Sequence, residues 1–219
     1  DLSYSGRVIA DFGVNTLGKK KWAIVHSTDA FGTAGGKALT EALTKLGAPP
    51  VLDQGYANQS QDFTPVVLAV KQSGADVLGT YFTFENDLGI FARQLRQLGV
   101  NIPWVGSPSV VAVSSTKLAG PALFGTYGVA DFAEDSSATA KAFGKAYRDA
   151  YKTAPDNQSA WPYDAITILS AAINKAGSTD PTKIREAILA TQKFAGAEGE
   201  YNFDKNGDGL HGYNVVKNE

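Results

Sequence analysis

Segments typical of strands and helices alternate over the first half of this chain, and this alternation constrains the fold more than any other feature. Trp22-Ala23-Ile24-Val25 is a short apolar run of the kind found in a parallel strand covered on both faces. Apolar residues then recur at helical spacing, and the order repeats until Gly106. Such a series favours an α/β fold, in which right-handed crossovers build a parallel sheet. The predicted strands lie near 21–26, 49–52, 76–82 and 102–106, with helices over about 3–17, 34–47, 65–73 and 86–98.

The pattern changes after Gly106. A loose segment over 107–124 precedes a strand near Tyr127-Gly128-Val129-Ala130. Three helices then follow with almost no strand between them, and helices without strands need a sheet to cover. We therefore predict that the chain leaves one lobe and enters another near residue 131. The helices are expected over about 136–152, 160–176 and 181–193, and two β segments over 199–203 and 213–216 end the chain.

Composition excludes several classes of protein. Lys and Arg number 20 against 22 Asp and Glu, and no block of like charge is present, which argues against a nucleic-acid or anionic membrane surface as partner. The chain has no Cys, so it can form neither disulfides nor thiolate metal sites. No apolar run is long enough to span a bilayer. The start, Asp1-Leu2-Ser3-Tyr4, resembles neither an initiator nor a signal peptide, so we expect a processed product, a trimmed product or a fragment.

A glycine-rich segment, Gly32-Thr33-Ala34-Gly35-Gly36-Lys37, follows the first strand, where a phosphate-binding loop would lie. A Walker loop requires Gly at position 31 and Ser or Thr at position 38, but Phe31 and Ala38 stand there. The segment 27–35 is predicted to turn as a loop, and the glycines to let the following helix start pack closely. An enzyme of flavodoxin-like fold that binds a phosphate-containing ligand here stays open as an alternative.

Other chemical motifs are weak. Asp204-Lys205-Asn206-Gly207-Asp208 matches the first half of a calcium loop, but the twelfth position would be Val215 rather than Glu, so we predict a hairpin turn between the last two β segments. His26 and His211 each lack a second His or Glu at metal-ligand spacing. Ser27 beside His26 would point to the opposite face of a strand. The sequence therefore predicts no catalytic residue, no cofactor and no metal site.

Aromatic and polar side chains follow three of the predicted strands. Phe31 comes after the first strand, Phe84 and Glu85 come after the third, and Ser107 and Ser109 come after the fourth. Because the carboxyl ends of parallel strands meet at one edge, these residues should converge there. Apolar rings with a few orienting polar groups are typical of a small-molecule site.

Several segments together resemble a known family. They are WAIVHSTDAFG at 22–32, GADVL at 74–78, RQLRQLG at 93–99, WPYDA at 161–165 and FDKNGD at 203–208. In order and spacing they are similar to the type I periplasmic solute-binding proteins, in particular the leucine/isoleucine/valine-binding proteins of ABC importers. The resemblance covers nearly the whole chain.

The resemblance implies two α/β lobes joined by crossover strands, with the ligand in the cleft between them. Residues 1–131 and 201–219 would form the second, C-terminal lobe, and 132–200 would be the helical part of the first lobe. Most of the first lobe would precede the point where this chain begins, and it carries the groups that hold an amino acid's carboxylate. This N-terminal lobe segment is thus an expected partner of the chain.

Site residues carry over from the family one at a time. Phe31 and Phe84 fall on aromatic positions of the pocket. Pro108 falls where the branched-chain binders place a Glu that pairs with the ligand ammonium, a departure for which Glu85 could substitute. Gln158, near Trp161, falls at a further aromatic position on the other lobe and also departs.

The sequence predicts a non-enzymatic, periplasmic or extracellular substrate-binding component of an ABC importer. Its ligand would be a branched-chain or other small amino acid, or a related small carboxylate, and the membrane subunits of the transporter would be its partners. A cytoplasmic sensor of the same fold that acts on a protein partner remains the second alternative.

Overall fold

A computed structural model describes residues 2–209 and 212–219 of the 219-residue chain. Contacts divide the chain into two compact units, Asp1–Ala130 with Val215–Glu219 (unit 1) and Asp131–Asn214 (unit 2). The sequence had grouped 201–214 with the first of these. The structure instead groups this segment with unit 2, because the strand at Glu200–Tyr201 pairs with Phe194–Ala195 and the Tyr201 hydroxyl donates to Asp164 at 3.2 Å.

Unit 1 is built on a mainly parallel sheet, as predicted. Its strands are β1 (Trp22–Ser27), β2 (Leu52–Tyr56), β3 (Val77–Tyr81), β4 (Trp104–Gly106), β5 (Tyr127–Ala130) and β8 (Asn214–Lys217). In the described residues the strand order is β2-β1-β3-β4-β5-β8, and each neighbouring pair from β2 to β5 is parallel. The buried runs of β1 and β3 explain this arrangement, since strands covered on both faces need apolar residues throughout.

Helices connect these strands much as the hydrophobic spacing predicts, except over 107–124 and at the start of the second helix. The segment 107–124 was predicted to be loose, but it contains a helix, α5, flanked by short 3-10 turns at Pro108–Val111 and Gly120–Leu123. The helix packs against α4, which is why a seven-residue segment of modest propensity is helical. The helices of unit 1 are α1 (Leu2–Asp11, continued by a π-helical turn at Phe12–Thr16), α2 (Ala30–Lys45), α3 (Thr64–Gln72), α4 (Glu85–Gln97) and α5 (Val113–Ala119).

Helix α2 begins earlier than the sequence predicted. We expected residues 27–35 to form a loop, but the Asp29 side chain caps the helix by accepting from the Gly32 N–H at 2.8 Å, so α2 begins at Ala30. Gly32 and Gly35 lie inside the helix and let it approach the sheet, because a Cβ at either position would collide with Ser27 or with the Tyr81 ring. The close packing predicted for the glycine-rich segment is therefore confirmed, and the predicted loop is wrong.

A row of packed aromatic rings fixes α4 on one face of the sheet. Ring centroids lie 5.1 Å apart for Phe82 and Phe91, and 5.6 Å apart for Phe91 and Trp104. Phe63 extends the row from the loop before α3. All four side chains are buried, and each contributes roughly 1.5–3 kcal/mol by burial. This packing holds the start of α4, and with it Phe84 and Glu85, in a defined position.

Unit 2 contains helices with very little sheet, as predicted. In the part of the chain that the structure describes, its strands are the two-residue β6 and β7, which pair antiparallel. Helix α7 carries a capping box at Asp156 and Ser159, and it leaves Trp161, Tyr163 and Ile166 more than half exposed. The elements are α6 (Ala138–Tyr151), α7 (Asn157–Ala176), α8 (Pro181–Leu189), β6 (Phe194–Ala195) and β7 (Glu200–Tyr201).

The predicted hairpin at the end of the chain is wrong. We expected 199–203 and 213–216 to pair with each other, but β7 pairs with β6, and β8 lies beside β5 at the edge of the main sheet. The Asn218 N–H donates to the Thr126 carbonyl at 2.9 Å, which ties the last residues to unit 1. His211 lies outside the described residues. Among the described helices, none combines the length and the apolar character that crossing a membrane requires.

Candidate functional site

The carboxyl ends of the parallel strands lie in register at one edge of unit 1. Ser27 at the end of β1 pairs with Tyr56 at the end of β2, and His26 pairs with Tyr81 at the end of β3. Thr80 pairs in turn with Gly106, the last residue of β4. The loops that follow these four strands therefore start side by side. In α/β sheets this edge is where ligands bind.

Asp29 links three of these loops. Its Oδ1 accepts hydrogen bonds from the Ser27 hydroxyl at 3.0 Å and from the Gly32 N–H at 2.8 Å, and its Oδ2 accepts from the Asn58 amide at 2.7 Å. Ser27 Oγ in turn lies 3.1 Å from Thr83 Oγ1 in the loop after β3. The carboxylate thus helps to fix the shape of the edge and accepts three hydrogen bonds from the protein itself.

The pKa of Asp29 reflects this network. Partial burial alone would raise it, but the hydrogen bonds from Gly32, Thr83, Asn58 and Ser27 favour the charged form and lower the pKa to about 2. The residue is therefore ionised throughout the physiological range. Sequence reasoning treated Asp29 only as part of a turn. The available signal was an Asp directly before the helical segment, since Asp is one of the residues favoured at an N-cap.

A second carboxylate supports the neighbouring loop. Asp87 on α4 is buried, and its Oδ2 accepts from the Gln59 N–H at 2.8 Å. Gln59 has a φ of 63°, a left-handed conformation that costs free energy in a non-glycine residue. Burial raises the pKa of Asp87, although the Gln59 N–H opposes the increase. The bond holds the strained turn after β2 against the start of α4.

The predicted aromatic residues take different positions at this edge. Phe31 lies half-buried in the first turn of α2, with its ring 5.8 Å from that of Tyr81 in an edge-on arrangement. Phe84 occupies the position before α4 and is 40 % exposed, and Glu85 is the first residue of that helix. Phe31 is thus partly fixed by Tyr81, whereas Phe84 presents a large apolar surface at the end of β3.

The predicted serines after β4 are buried. The exposed fractions are 0 % for Ser107 and 6 % for Ser109, and their hydroxyl oxygens lie 2.9 Å apart. The Ser107 N–H donates to the Thr80 carbonyl at 2.9 Å. Pro108, which lies between the two serines, begins a 3-10 turn that includes Ser109. The bond to Thr80 holds the loop after β4 at the same edge as the other predicted site residues.

The remaining two predicted residues belong to unit 2. Gln158 and Trp161 both lie in the first turns of α7 and are exposed. The Trp161 indole donates to Gln158 Oε1 at 3.4 Å. They form a local pair on the helix surface.

Two alternative chemistries do not fit the structure. The glycine-rich segment proposed for a phosphate is part of α2, and Gly36 packs against the His26 ring, so its backbone is not arranged as a phosphate loop. In the turn after β7, Asp204 Oδ1 accepts from the N–H groups of Asn206 and Asp208, and Gly207 donates to the Asp204 carbonyl. Among the described residues, no group of three or more His, Asp or Glu is arranged to hold a metal ion.

Sequence reasoning missed a buried acidic cluster in unit 2. Asp164 on α7 is fully buried, and its carboxylate accepts from the Ala197 N–H at 2.7 Å and from the Glu198 N–H at 2.9 Å. The Tyr201 hydroxyl donates to Glu198 Oε2 at 3.1 Å. Burial and the nearby charges of Asp131 and Asp164 raise the pKa of Glu198 to about 8, although the hydrogen bond from Tyr201 opposes the increase.

Comparison with known proteins agrees with this architecture. A family model described as periplasmic binding protein matches residues 3–218. An "Amino acid binding protein" from Pseudomonas aeruginosa is 30 % identical over 207 residues, covering 93 % of this chain and 54 % of the relative. A "Leu/Ile/Val-binding protein homolog 1" from Brucella melitensis is 25 % identical over 213 residues, covering 97 % of this chain and 57 % of the relative.

Solved structures give the same result. The leucine binding protein LivK from Thermotoga maritima shares 26 % identity with this chain. The two structures superpose with a TM-score of 0.91 over 99 % of this chain and 63 % of that structure. The chain thus spans little more than half the length of the curated relatives it matches. The resemblance drawn from the sequence motifs is confirmed, and the α/β architecture matches the type I fold. The chain belongs to the periplasmic binding protein family.

Proposed function

We propose that this chain contributes the solute-binding surface of an ABC importer and that the solute is a small amino acid with a branched apolar side chain. The observation that carries the proposal is the register of the strand ends in unit 1, which gathers Phe31, Phe84, Ser107 and Ser109 at one edge of a parallel sheet. The names of the relatives, among them a leucine binding protein, support the choice of ligand.

The chemistry of this edge suits a small apolar side chain. Phe84 is 40 % exposed and offers apolar area that a ligand can cover, while Tyr81 holds Phe31 from behind. Covering a half-exposed ring is worth on the order of 1–2 kcal/mol. Glu85, at the start of α4, supplies a carboxylate near Phe84 for a ligand ammonium, since Pro108 has no charge.

A binding role rather than catalysis follows from how the polar groups are used. The Asp29 carboxylate accepts hydrogen bonds from the protein itself, and the Ser107 and Ser109 hydroxyls bond to each other. These groups hold the loops instead of being poised to react. With family membership, this supports a non-enzymatic protein that acts outside the cytoplasm and delivers its ligand to transporter subunits.

Helix α7 carries an exposed apolar face. Trp161, Tyr163 and Ile166 are 52 %, 51 % and 65 % exposed, which is unusual for a helix of a monomeric soluble protein. The relatives contain further sequence beyond the matched region. We propose that a segment corresponding to that further sequence covers this face in the functional protein.

Calorimetry with L-leucine tests the proposed function. Saturable binding of L-leucine to the protein at its natural full length is the expected result, with a Kd in about the micromolar range or tighter, because the ligand would be largely enclosed. Glycine serves as the matched ligand, since it keeps both charged groups and lacks the apolar side chain. Equal affinity for leucine and glycine would refute the role given to Phe31 and Phe84.

A further inference from the structure

The turn after β7 contains a reactive pair of residues that the proposed function does not use. Asn206 is followed directly by Gly207, and both residues are exposed. No other Asn in the sequence is followed by Gly. In such a pair the asparagine carboxamide can react with the next backbone nitrogen, because glycine has no side chain to obstruct the approach. The pair is therefore a candidate site of chemical modification.

The structure leaves room for this reaction. Gly207 has a φ of 90°, a backbone conformation that glycine adopts without steric cost. A Cβ added at Gly207 would meet no atom of the described residues within 4 Å, so the space beside its backbone is open. The exposed Asn206 side chain can therefore rotate toward the Gly207 nitrogen without displacing another part of the chain.

Hydrogen bonds of the turn delay the reaction. The Gly207 N–H, which supplies the attacking nitrogen, donates to the Asp204 carbonyl at 3.1 Å. This bond lies at the long end of the usual range for N–H···O and belongs to an exposed turn. The net contribution of one such bond is modest, so the need to open it should slow the reaction by no more than about tenfold. The folded turn thus delays the modification without preventing it.

We propose that Asn206 is a site of spontaneous deamidation through a cyclic imide formed with Gly207. The Gly207 nitrogen loses its proton to solvent hydroxide and attacks the side-chain carbonyl carbon of Asn206. A new C–N bond closes the imide, and the side-chain nitrogen takes up a proton and leaves as ammonia. Water then opens the imide. Cleavage at the side-chain carbonyl gives aspartate, and cleavage at the main-chain carbonyl gives a β-aspartyl linkage. The net change is amide plus water to carboxylate plus ammonium, so no oxidant or reductant is needed.

Either product alters the turn. A carboxylate at position 206 adds one negative charge to a chain whose formal net charge is −2, and it lies between Asp204 and Asp208. A β-aspartyl linkage also lengthens the main chain by one carbon. Asp204 Oδ1 now accepts from the N–H groups of Asn206 at 2.8 Å and of Asp208 at 3.0 Å, and the longer main chain no longer matches both. The proposal does not rest on the amino-acid site, because this turn belongs to unit 2.

The experiment is peptide mass spectrometry of the 219-residue chain after incubation at mildly alkaline pH and physiological temperature. We expect the peptide that contains Asn206 to gain the mass difference between an amide and a carboxyl group, and to separate into an aspartyl and a β-aspartyl form. Asn101 is the control within the same molecule, since it is also exposed but precedes Ile102, whose branched side chain obstructs the attack. Asn206 should react at least about tenfold faster than Asn101.

A parallel incubation in guanidinium chloride measures the rate at Asn206 without the turn. The folded chain should react no more than about tenfold slower than this unfolded reference, as expected for the opening of one exposed hydrogen bond. The rate should also increase with pH in both samples, because the attacking nitrogen must lose its proton.

Three results would overturn the proposal. The first is an Asn206 that stays intact in the folded chain while the unfolded chain reacts. The second is a rate at Asn206 no higher than at Asn101, and the third is aspartate as the sole product, which would indicate direct hydrolysis without an imide. All three comparisons use the wild-type chain, so none depends on the folding of a variant. Leucine calorimetry is a separate measurement, so failure of this site and failure of the proposed function are distinguishable.

Discussion

The Asn58 side-chain amide donates a 2.7 Å hydrogen bond to Asp29 Oδ2 and so joins the loop after β2 to the loop after β1. The two residues are 29 positions apart in the chain. Because Asp29 also caps α2, a single carboxylate fixes both the start of that helix and the adjacent loop. The edge of the sheet that we assign to the ligand is thus held by its own hydrogen bonds before any ligand arrives.

Asp29→Ala should destabilise the chain by about 1–3 kcal/mol, since an N-cap is worth about 1 kcal/mol and the Asn58 and Ser27 bonds are lost with it. Urea unfolding measures this loss. Asp180→Ala is the matched control, because the exposed Asp180 caps α8 by accepting from the Lys183 N–H. Equal losses in the two variants would show that the bonds from Asp29 to the neighbouring loop contribute nothing.

The contribution of Asp29 to stability should also be visible in acid. The pKa of Asp29 is lowered in the folded state from 3.8 to about 2, so its charge stabilises the fold above pH 3.8, and this contribution is lost as the pH falls toward 2. In Asp29→Asn this loss should be absent. Comparing the urea midpoints of wild type and variant at pH 5 and pH 2.5 measures the difference. A difference that does not shrink on acidification would contradict the assignment.

Glu198 should have the opposite effect on how stability depends on pH. Its pKa is raised in the folded state from 4.5 to about 8, so the unfolded chain ionises first, and stability is lost as the pH rises from 4.5 to 8. Glu198→Gln removes that penalty and should be more stable than wild type at pH 9 by roughly 1–4 kcal/mol, with little difference at pH 4.

The control for this prediction is Glu186→Gln, whose carboxylate is exposed on α8. Thermal melting of the three proteins at both pH values is sufficient. If Glu198→Gln were no more stable than the wild type at pH 9, the carboxyl would not be held in a penalising environment.

Gly35→Ala should destabilise the chain, although replacing Gly by Ala in a helix usually stabilises it. In an exposed helix Ala stabilises relative to Gly by about 1 kcal/mol. Here the added Cβ would collide with the Tyr81 ring, whose hydroxyl lies 2.9 Å from Ser5 Oγ. We expect destabilisation of about 1–3 kcal/mol. Thr33→Ala, at an exposed position in the same helix, should change the free energy of unfolding by less than about 0.5 kcal/mol.

The sequence predicted the architecture well where local pattern decides structure. The buried runs of β1 and β3 and the spacing of α4 are local features, and the elements lie where they were predicted. The start of α2 was misplaced because Gly32, Gly35 and Gly36 have low helix propensity. Packing against Ser27, Tyr81 and His26 outweighs that propensity, and only the folded chain shows those contacts.

Several contacts between residues far apart in the sequence were not predicted. The partner of β8 is β5, far away in the sequence, and turn residues between 203 and 212 instead suggested a local hairpin. The exact register, which aligns Thr80 with Gly106 and His26 with Tyr81, was not predicted either, although the strand order was enough to predict that the loops share one edge. The Glu198 N–H donates to Asp164, 34 positions earlier. No spacing rule links these residues.

The proposed solute site is tested most directly by leucine calorimetry on Phe84→Ala beside Phe124→Ala. Phe84 follows β3 at the carboxyl edge, whereas Phe124 precedes β5 at the opposite end of a parallel strand and is 60 % exposed. We predict that Phe84→Ala weakens leucine binding about tenfold, equivalent to about 1.4 kcal/mol, and that Phe124→Ala leaves the Kd unchanged. Unchanged affinity in Phe84→Ala would contradict the assignment of the ligand to this edge of the sheet.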